Sequence, residues 1–133
     1  MNKWILLLGL LLSSLSAQAG LNNISNQELQ QLLQQGIPVI DVRRPEEWKQ
    51  TGVVEGSHLM TFFDKKGNYD VRKWLQDLTS VAKKDEPFII ICRTGNRTGI
   101  IGRFLADKLA FPKVYNVEKG ITHWIAKGNP VVK

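Results

Sequence analysis

The only cysteine in the chain, Cys92, opens the stretch CRTGNRTG, with Arg93 and Arg97 close behind it. A cysteine acts as a nucleophile through its thiolate, and the thiolate is favoured by nearby cations and by hydrogen-bond donors aimed at the sulfur. This stretch is built to supply both. Gly95 and Asn96 are residue types that tolerate left-handed backbone, so the segment from Arg93 to Thr98 can curl tightly and turn its amides inward. A helix beginning near Thr98 would add unpaired N–H groups. The same cradle would hold an anion attached to the sulfur, either an oxyanion or the outer sulfur of a persulfide. Cys92 is therefore the candidate nucleophile, and Arg93, Thr94, Gly95, Asn96, Arg97 and Thr98 are the candidate binding residues.

A lone cysteine is more commonly an inert core residue, and position argues otherwise here. Phe88 to Ile91 is apolar on both faces, as a central parallel strand covered by helices requires. Cys92 follows it directly. After the loop, Ile100, Ile101, Phe104, Leu105 and Leu109 recur at helical spacing. In parallel α/β sheets ligands gather beyond the carboxyl ends of the strands, which is where Cys92 falls.

The rest of the chain supplies a sheet to hold that strand. Ser25 and Glu28 form a capping box ahead of Leu29, Leu32 and Leu33, and Gly36 stops that helix. Pro38 to Val42 reads as a strand, and Pro45 to Lys49 as a helical turn with proline near its start. Asp70 caps a helix carrying Val71, Trp74, Leu75 and Leu78. Val114 to Val117 is a further strand, and Ile121 to Lys127 a short helix closed by Gly128 and Pro130. Strands alternating with helices predict an α/β domain with a mostly parallel sheet.

The amino terminus reads as a separate element. Lys3 precedes the apolar run Trp4 to Leu12, and small and polar residues end in Ala17-Gln18-Ala19. This is the pattern of a cleaved secretory signal over residues 1–19, too short to span a bilayer, which needs about 20 apolar residues. It predicts export, to the periplasm in a Gram-negative cell, with no stable membrane anchor after cleavage. Residues 20–133 then form one domain. The formal net charge is +6, but the lysines and arginines are scattered rather than striped. Nucleic acid is not an expected partner, and anionic small substrates are. A single cysteine makes no internal disulfide, and with two histidines no metal-ligand spacing exists. No cofactor is expected.

Loop length narrows the chemistry. Cysteine-dependent phosphatases and related arsenate reductases use C-x5-R, a ring wide enough for a tetrahedral oxyanion. Here Cys92 to Arg97 is C-x4-R, and Thr98 occupies the following position. The shorter loop suits one transferred sulfur atom. At this point CRTGNRTG resembles the active-site loop of the rhodanese family of sulfurtransferases. VIDVRRPEEWKQTGVVEGSHLM resembles the first signature of that family and NVEKGITHWIAKGNPV its closing segment, all in family order. The resemblance implies a single rhodanese-like domain with a central five-stranded parallel sheet and helices on both faces. It implies that Cys92 carries sulfur as a persulfide, taken from thiosulfate or a similar small anionic donor and passed to cyanide or a thiol. The thiol acceptor is a small molecule or a protein. The alternatives are a non-catalytic persulfide carrier or binding module and, disfavoured by loop length, a cysteine-dependent phosphatase or arsenate reductase.

Two positions depart from the family pattern. Gly52-Val53-Val54 stands where the family has Gly-His-Ile, and Lys119 replaces the first glycine of the closing pair. Lys119 beside the loop either recruits an anionic donor or faces solvent. Arg97 is expected to brace the loop or bind the donor's charge, and Arg93 to stand at the entrance. Asp41 looks like the family aspartate that supports the loop and its arginines. Arg43 is expected to pair with Glu46 or Glu47. His58 and His123 are expected to pack or face solvent rather than form a dyad with Cys92, and Trp48, Trp74 and Trp124 to serve as core or pocket-wall aromatics.

Overall fold

The computed structural model describes residues 20–133, and the leader expected over 1–19 lies outside the described residues. Five parallel strands form one sheet: β1 (Asn22–Ile24), β2 (Val39–Asp41), β3 (His58–Leu59), β4 (Phe88–Ile91) and β5 (Val114–Val117). Their order is β1-β5-β4-β2-β3, so β4 lies at the centre with every residue buried. Alternate residues of β4 face opposite ways. Phe88 and Ile90 pack with Ile40 and Val114 on one face, and Ile89 and Ile91 with Val39 and Val117 on the other.

Helices α1 (Asn26–Gln34) and α5 (Gly120–Ala126) cover the second face through Leu29, Ile121 and Trp124. Helices α3 (Val71–Leu78) and α4 (Asn96–Arg103) cover the first through Trp74, Leu78 and Ile101. The short α2 (Pro45–Thr51) follows β2. The caps read from the sequence are present. The Glu28 amide donates to Ser25 Oγ at 3.2 Å while the Ser25 amide donates to Glu28 Oε1 at 3.0 Å, and the Lys73 amide donates to Asp70 Oδ1 at 3.1 Å. Among the described residues no helix is long and apolar enough to cross a membrane.

The structure adds elements that periodicity did not show. β1 and β3 are edge strands of three and two residues, too short and too polar to alternate visibly. α4 starts two residues before the expected Thr98 and passes into a π turn over Phe104–Lys108, where the Leu109 amide donates to the Phe104 carbonyl. The expected apolar stripe is only partly used. At 100° per residue its five members span about 180° of the helix, more than one sheet contact covers. Ile101 and Leu105 are buried, and Ile100 at the stripe's margin is left 50% exposed.

Ala110 ends the π turn with φ +60, the only positive φ at a non-glycine residue among those described. An L-residue pays about 1–2 kcal/mol there. Because Ala110 is exposed, Ala110→Gly should stabilise the domain by about 0.5–1 kcal/mol after glycine's larger unfolded-state entropy is deducted. A rise in the urea midpoint at unchanged slope checks this.

Candidate active site

Cys92 lies just beyond the end of β4, under the loop that leads into α4, and is 1% exposed. Two groups contact its sulfur. The Gly95 amide donates to Sγ at 3.2 Å, and Thr98 Oγ1 lies 3.3 Å away. The loop thus curls as its composition predicts, but one amide and one hydroxyl engage the sulfur rather than a full ring of amides. Thr98 is buried, whereas Arg93, Thr94 and Asn96 are exposed on the outer rim.

Backbone packing sets the curl. Gly95 has φ +90, and a Cβ there would run into the Glu118 carbonyl. Gly120 has φ +68, and a Cβ there would run into the Arg93 carbonyl. Between them the Ile121 amide donates to the Cys92 carbonyl at 2.9 Å, and the Thr122 amide to that of Arg93 at 3.1 Å. The turn after β5 therefore presses on the cysteine loop with no side chain between. Lys119 has φ −99, a conformation open to any residue, which is why lysine is tolerated where the family has glycine. Its exposed side chain borders a cavity of about 310 Å³ shared with Asn23, Asn26, Glu28 and His123, on the side of α1.

The charged residues pair differently from expectation. Arg43 does not pair with Glu46 or Glu47. It is fully buried against Asp41, with Nη2 2.9 Å from Oδ2 and Nε 3.0 Å from Oδ1. Its remaining donors reach Thr51 Oγ1 at 2.9 Å and the Gly52 carbonyl at 3.0 Å. Asp41 is therefore occupied by Arg43 and makes no hydrogen bond to the arginines of the cysteine loop. The pleat explains this. Asp41 aligns with Ile91, whose side chain faces the α1/α5 side, while Cys92 packs on the opposite face.

Arg97 takes Glu47 instead. Nη1 and Nη2 donate to Oε2 and Oε1, each at 2.8 Å, in a bidentate pair. Glu47 Oε2 also accepts from the Arg44 amide at 3.0 Å, and Arg44 Nε donates to Glu46. The Arg97 hydrogen bonds hold the Glu47 carboxyl down at about 2, with burial opposing and the Arg44 amide assisting. The Arg97 pKa is raised, first by Glu47, with smaller attractions from Cys92 and Asp41. Arg97 thus braces the loop and leaves its charge near the sulfur. The Glu47–Arg97 pairing is not visible in the sequence because fifty residues separate the two; the local signal is an acid at the third position of a Pro-started helix.

His58 is exposed on β3 and His123 half-buried on α5, and neither is among the sulfur's hydrogen-bond partners. Trp74 and Trp124 are core residues, with Nε1 donating to the Met60 and Pro130 carbonyls.

Comparison with known proteins agrees with this geometry. A family model described as "Rhodanese-like domain" matches residues 25–127. The thiosulfate sulfurtransferase GlpE of Ectopseudomonas mendocina is 29% identical over 103 residues, covering 77% of this chain and 84% of the relative. The crystal structure of a rhodanese-related protein from Thermoplasma volcanium superposes with a TM-score of 0.63 at 27% identity, covering 84% of this chain and 97% of the other. The solution structure of a polysulfide-sulfur transferase homodimer from Wolinella succinogenes gives 0.64 at 26% identity, over 84% and 78%.

The Glu47–Arg97 pair carries a pH signature. A carboxyl depressed on folding adds stability that is complete above its unfolded value near 4.5 and is lost as pH falls through about 2. The gap in urea midpoint between wild type and Glu47→Gln should be widest above pH 4.5 and close toward pH 2. A gap independent of pH would show that the charge on Glu47 is not what stabilises the loop.

Proposed function

The chain belongs to the rhodanese-like domain family, and from that premise we propose that it is a sulfurtransferase whose Cys92 carries sulfane sulfur as a persulfide. The observation that carries the reading is the pair of contacts on Sγ, from the Gly95 amide and Thr98 Oγ1, inside a loop braced by Arg97. Relatives named thiosulfate sulfurtransferase support the choice of donor.

In the proposed cycle the Cys92 thiolate attacks the outer sulfur of thiosulfate. A new S–S bond forms, the old one breaks, and its electron pair leaves with sulfite. An acceptor then attacks the outer sulfur of the persulfide. Cyanide leaves as thiocyanate, or a thiol leaves as a persulfide, and the Cys92 thiolate is restored. No net oxidation of the protein occurs, and the two half-reactions predict ping-pong kinetics. The donor amide and hydroxyl are fixed before the reaction, so they stabilise negative sulfur without reorganising. Exposed Arg93 on the rim is the group available to draw an anionic donor in, since Arg97 is committed to Glu47. Thr98 stands where the wider C-x5-R loops place arginine and fills the ring against Sγ, which favours a single sulfur over a tetrahedral oxyanion.

The near-complete burial of Cys92 favours a narrower second reading, a carrier that surrenders its sulfur only to a docked partner. Export through residues 1–19 is part of the proposal. Amino-terminal sequencing of protein recovered from the periplasm should begin at Gly20.

Intact-mass measurement tests the cycle directly. Thiosulfate should add one sulfur atom to the wild type and none to Cys92→Ser, and cyanide should remove it. Unchanged transfer by Cys92→Ser would refute the assignment, while a persulfide that forms but resists cyanide selects the carrier. Thr98→Val removes one contact to a charged sulfur and should slow persulfide formation about tenfold.

A further inference from the structure

Beside the cysteine loop lies an apolar groove that the proposed cycle does not use. Phe62, Phe63 and Tyr69 form one wall, Ile100 of α4 and Phe104 of the π turn the other, and Ile101 the floor, around a cavity of about 160 Å³. Tyr69 is 61% exposed and Ile100 50%. The aromatic wall is nevertheless set in place. Tyr69 stacks on Phe62 with centroids 5.8 Å apart and meets the Phe63 ring edge-on at 5.6 Å. Such a wall loses little freedom on receiving a ligand.

The groove is lined by the helix that carries Thr98. Phe62 and Ile101 belong to the same buried cluster as Cys92. Thr98, which touches Sγ, is one helical turn before Ile101 on the same side of α4, and Ile100 stands on the outer side of that turn.

Size and charge define the occupant. A small-molecule site typically encloses about 300–1,000 Å³, so this groove suits one bulky side chain rather than a whole ligand. Exposed Lys65, Lys66 and Arg72 lie on the segment that carries Tyr69, and exposed Arg93 and Arg103 on the side of α4. None of these five makes an ion pair among the described residues. The carboxylates on these segments are Asp64 and Asp70, which keep their charge while accepting backbone amides, and Asp107, which is followed by Lys108. The cations around the groove therefore outnumber the carboxylates. A second copy of this chain, itself basic, is disfavoured by charge, and an acidic partner is drawn in.

We propose that this groove docks the protein acceptor of the sulfur, a segment that inserts one bulky apolar side chain flanked by carboxylates and presents its own cysteine a few residues away. The proposal rests on the sulfurtransferase reading. The acceptor thiolate attacks the outer sulfur of the Cys92 persulfide, the persulfide S–S bond breaks, the acceptor leaves as a persulfide and the Cys92 thiolate returns. Docking supplies the proximity that a 1% exposed sulfur otherwise denies to a large nucleophile.

Two measurements on the full domain test this. In the first, fluorescence anisotropy follows labelled peptides with serine in place of cysteine, one with leucine among aspartates, one with that leucine changed to serine, and one with the aspartates changed to lysine. The acidic leucine peptide should bind at least tenfold more tightly than either control, and Ile100→Ser or Tyr69→Ser should remove the preference. In the second, persulfide-loaded protein is mixed with the cysteine forms. Transfer to the acidic leucine peptide should fall at least tenfold in either variant, while loading from thiosulfate and discharge to cyanide stay at wild-type rates. Equal binding of all three peptides, or variants that bind and transfer like wild type, overturns the docking site. A dimer in sedimentation that Ile100→Ser dissolves overturns it in favour of self-association, and binding to anionic vesicles without peptide preference overturns it in favour of a membrane. A wild type that fails to load from thiosulfate yet keeps the peptide preference refutes the sulfur-transfer reading while the groove stands.

Discussion

The contact on which the site depends is backbone against backbone, where the loop from Cys92 to Gly95 lies on the turn from Val117 to Ile121. Gly95 and Gly120 face carbonyls of the opposite segment at distances that leave no room for a Cβ. That closeness turns the Gly95 amide onto the sulfur and brings Thr98 into the first turn of α4 facing it. The geometry around Sγ is thereby fixed by main-chain packing between two neighbouring strands' exits, β4 and β5. The charged residues around it do not have to shape the loop. They only hold it and set its field.

Two carboxylate–arginine pairs lie at the exits of β2 and β4, and only the second holds the cysteine loop. Asp41 and Arg43 are wholly buried, and Arg43 spends its other donors on Thr51 and the Gly52 carbonyl. Gly52 in turn packs under Val132, whose segment pairs with Val53. The pair thus anchors the end of α2 and, through it, the carboxyl-terminal segment. Desolvation costs such a pair much of its attraction, yet removing one partner strands a buried charge, an effect of about 3–5 kcal/mol. Glu47 and Arg97 are only partly buried and act on the reactive loop itself. Arg97 is oriented by the carboxylate and still contributes positive charge near Cys92.

This division explains what could be read from the sequence. Local chemistry was legible: the Ser25–Glu28 box, the Asp70 cap, the β-branched run of β4 and the left-handed Gly95 each depend on neighbours within a few residues. The edge strands β1 and β3 were not, because two or three residues paired on one side carry no periodic signal. Partner choice among carboxylates and arginines was also illegible. Asp41, Glu46 and Glu47 are all near Arg43 in sequence, and only the pleat direction and the approach of α2 to the cysteine loop decide which acid meets which base. The π turn at Phe104–Lys108 has no sequence cue comparable to a proline or glycine pair.

For the proposed sulfur carrier, burial is a constraint on chemistry rather than an objection to it, because oxidation of a lone thiol falls with its exposure. Arg93, Thr94 and Asn96 of the loop that follows Cys92 are exposed. In the proposed persulfide the reactive atom moves outward by one S–S bond, about 2 Å. In the proposed cycle a protein thiol, unlike a compact donor or cyanide, needs its backbone held beside the loop, so under the proposed docking selectivity between small and large acceptors rests on the aromatic-walled groove.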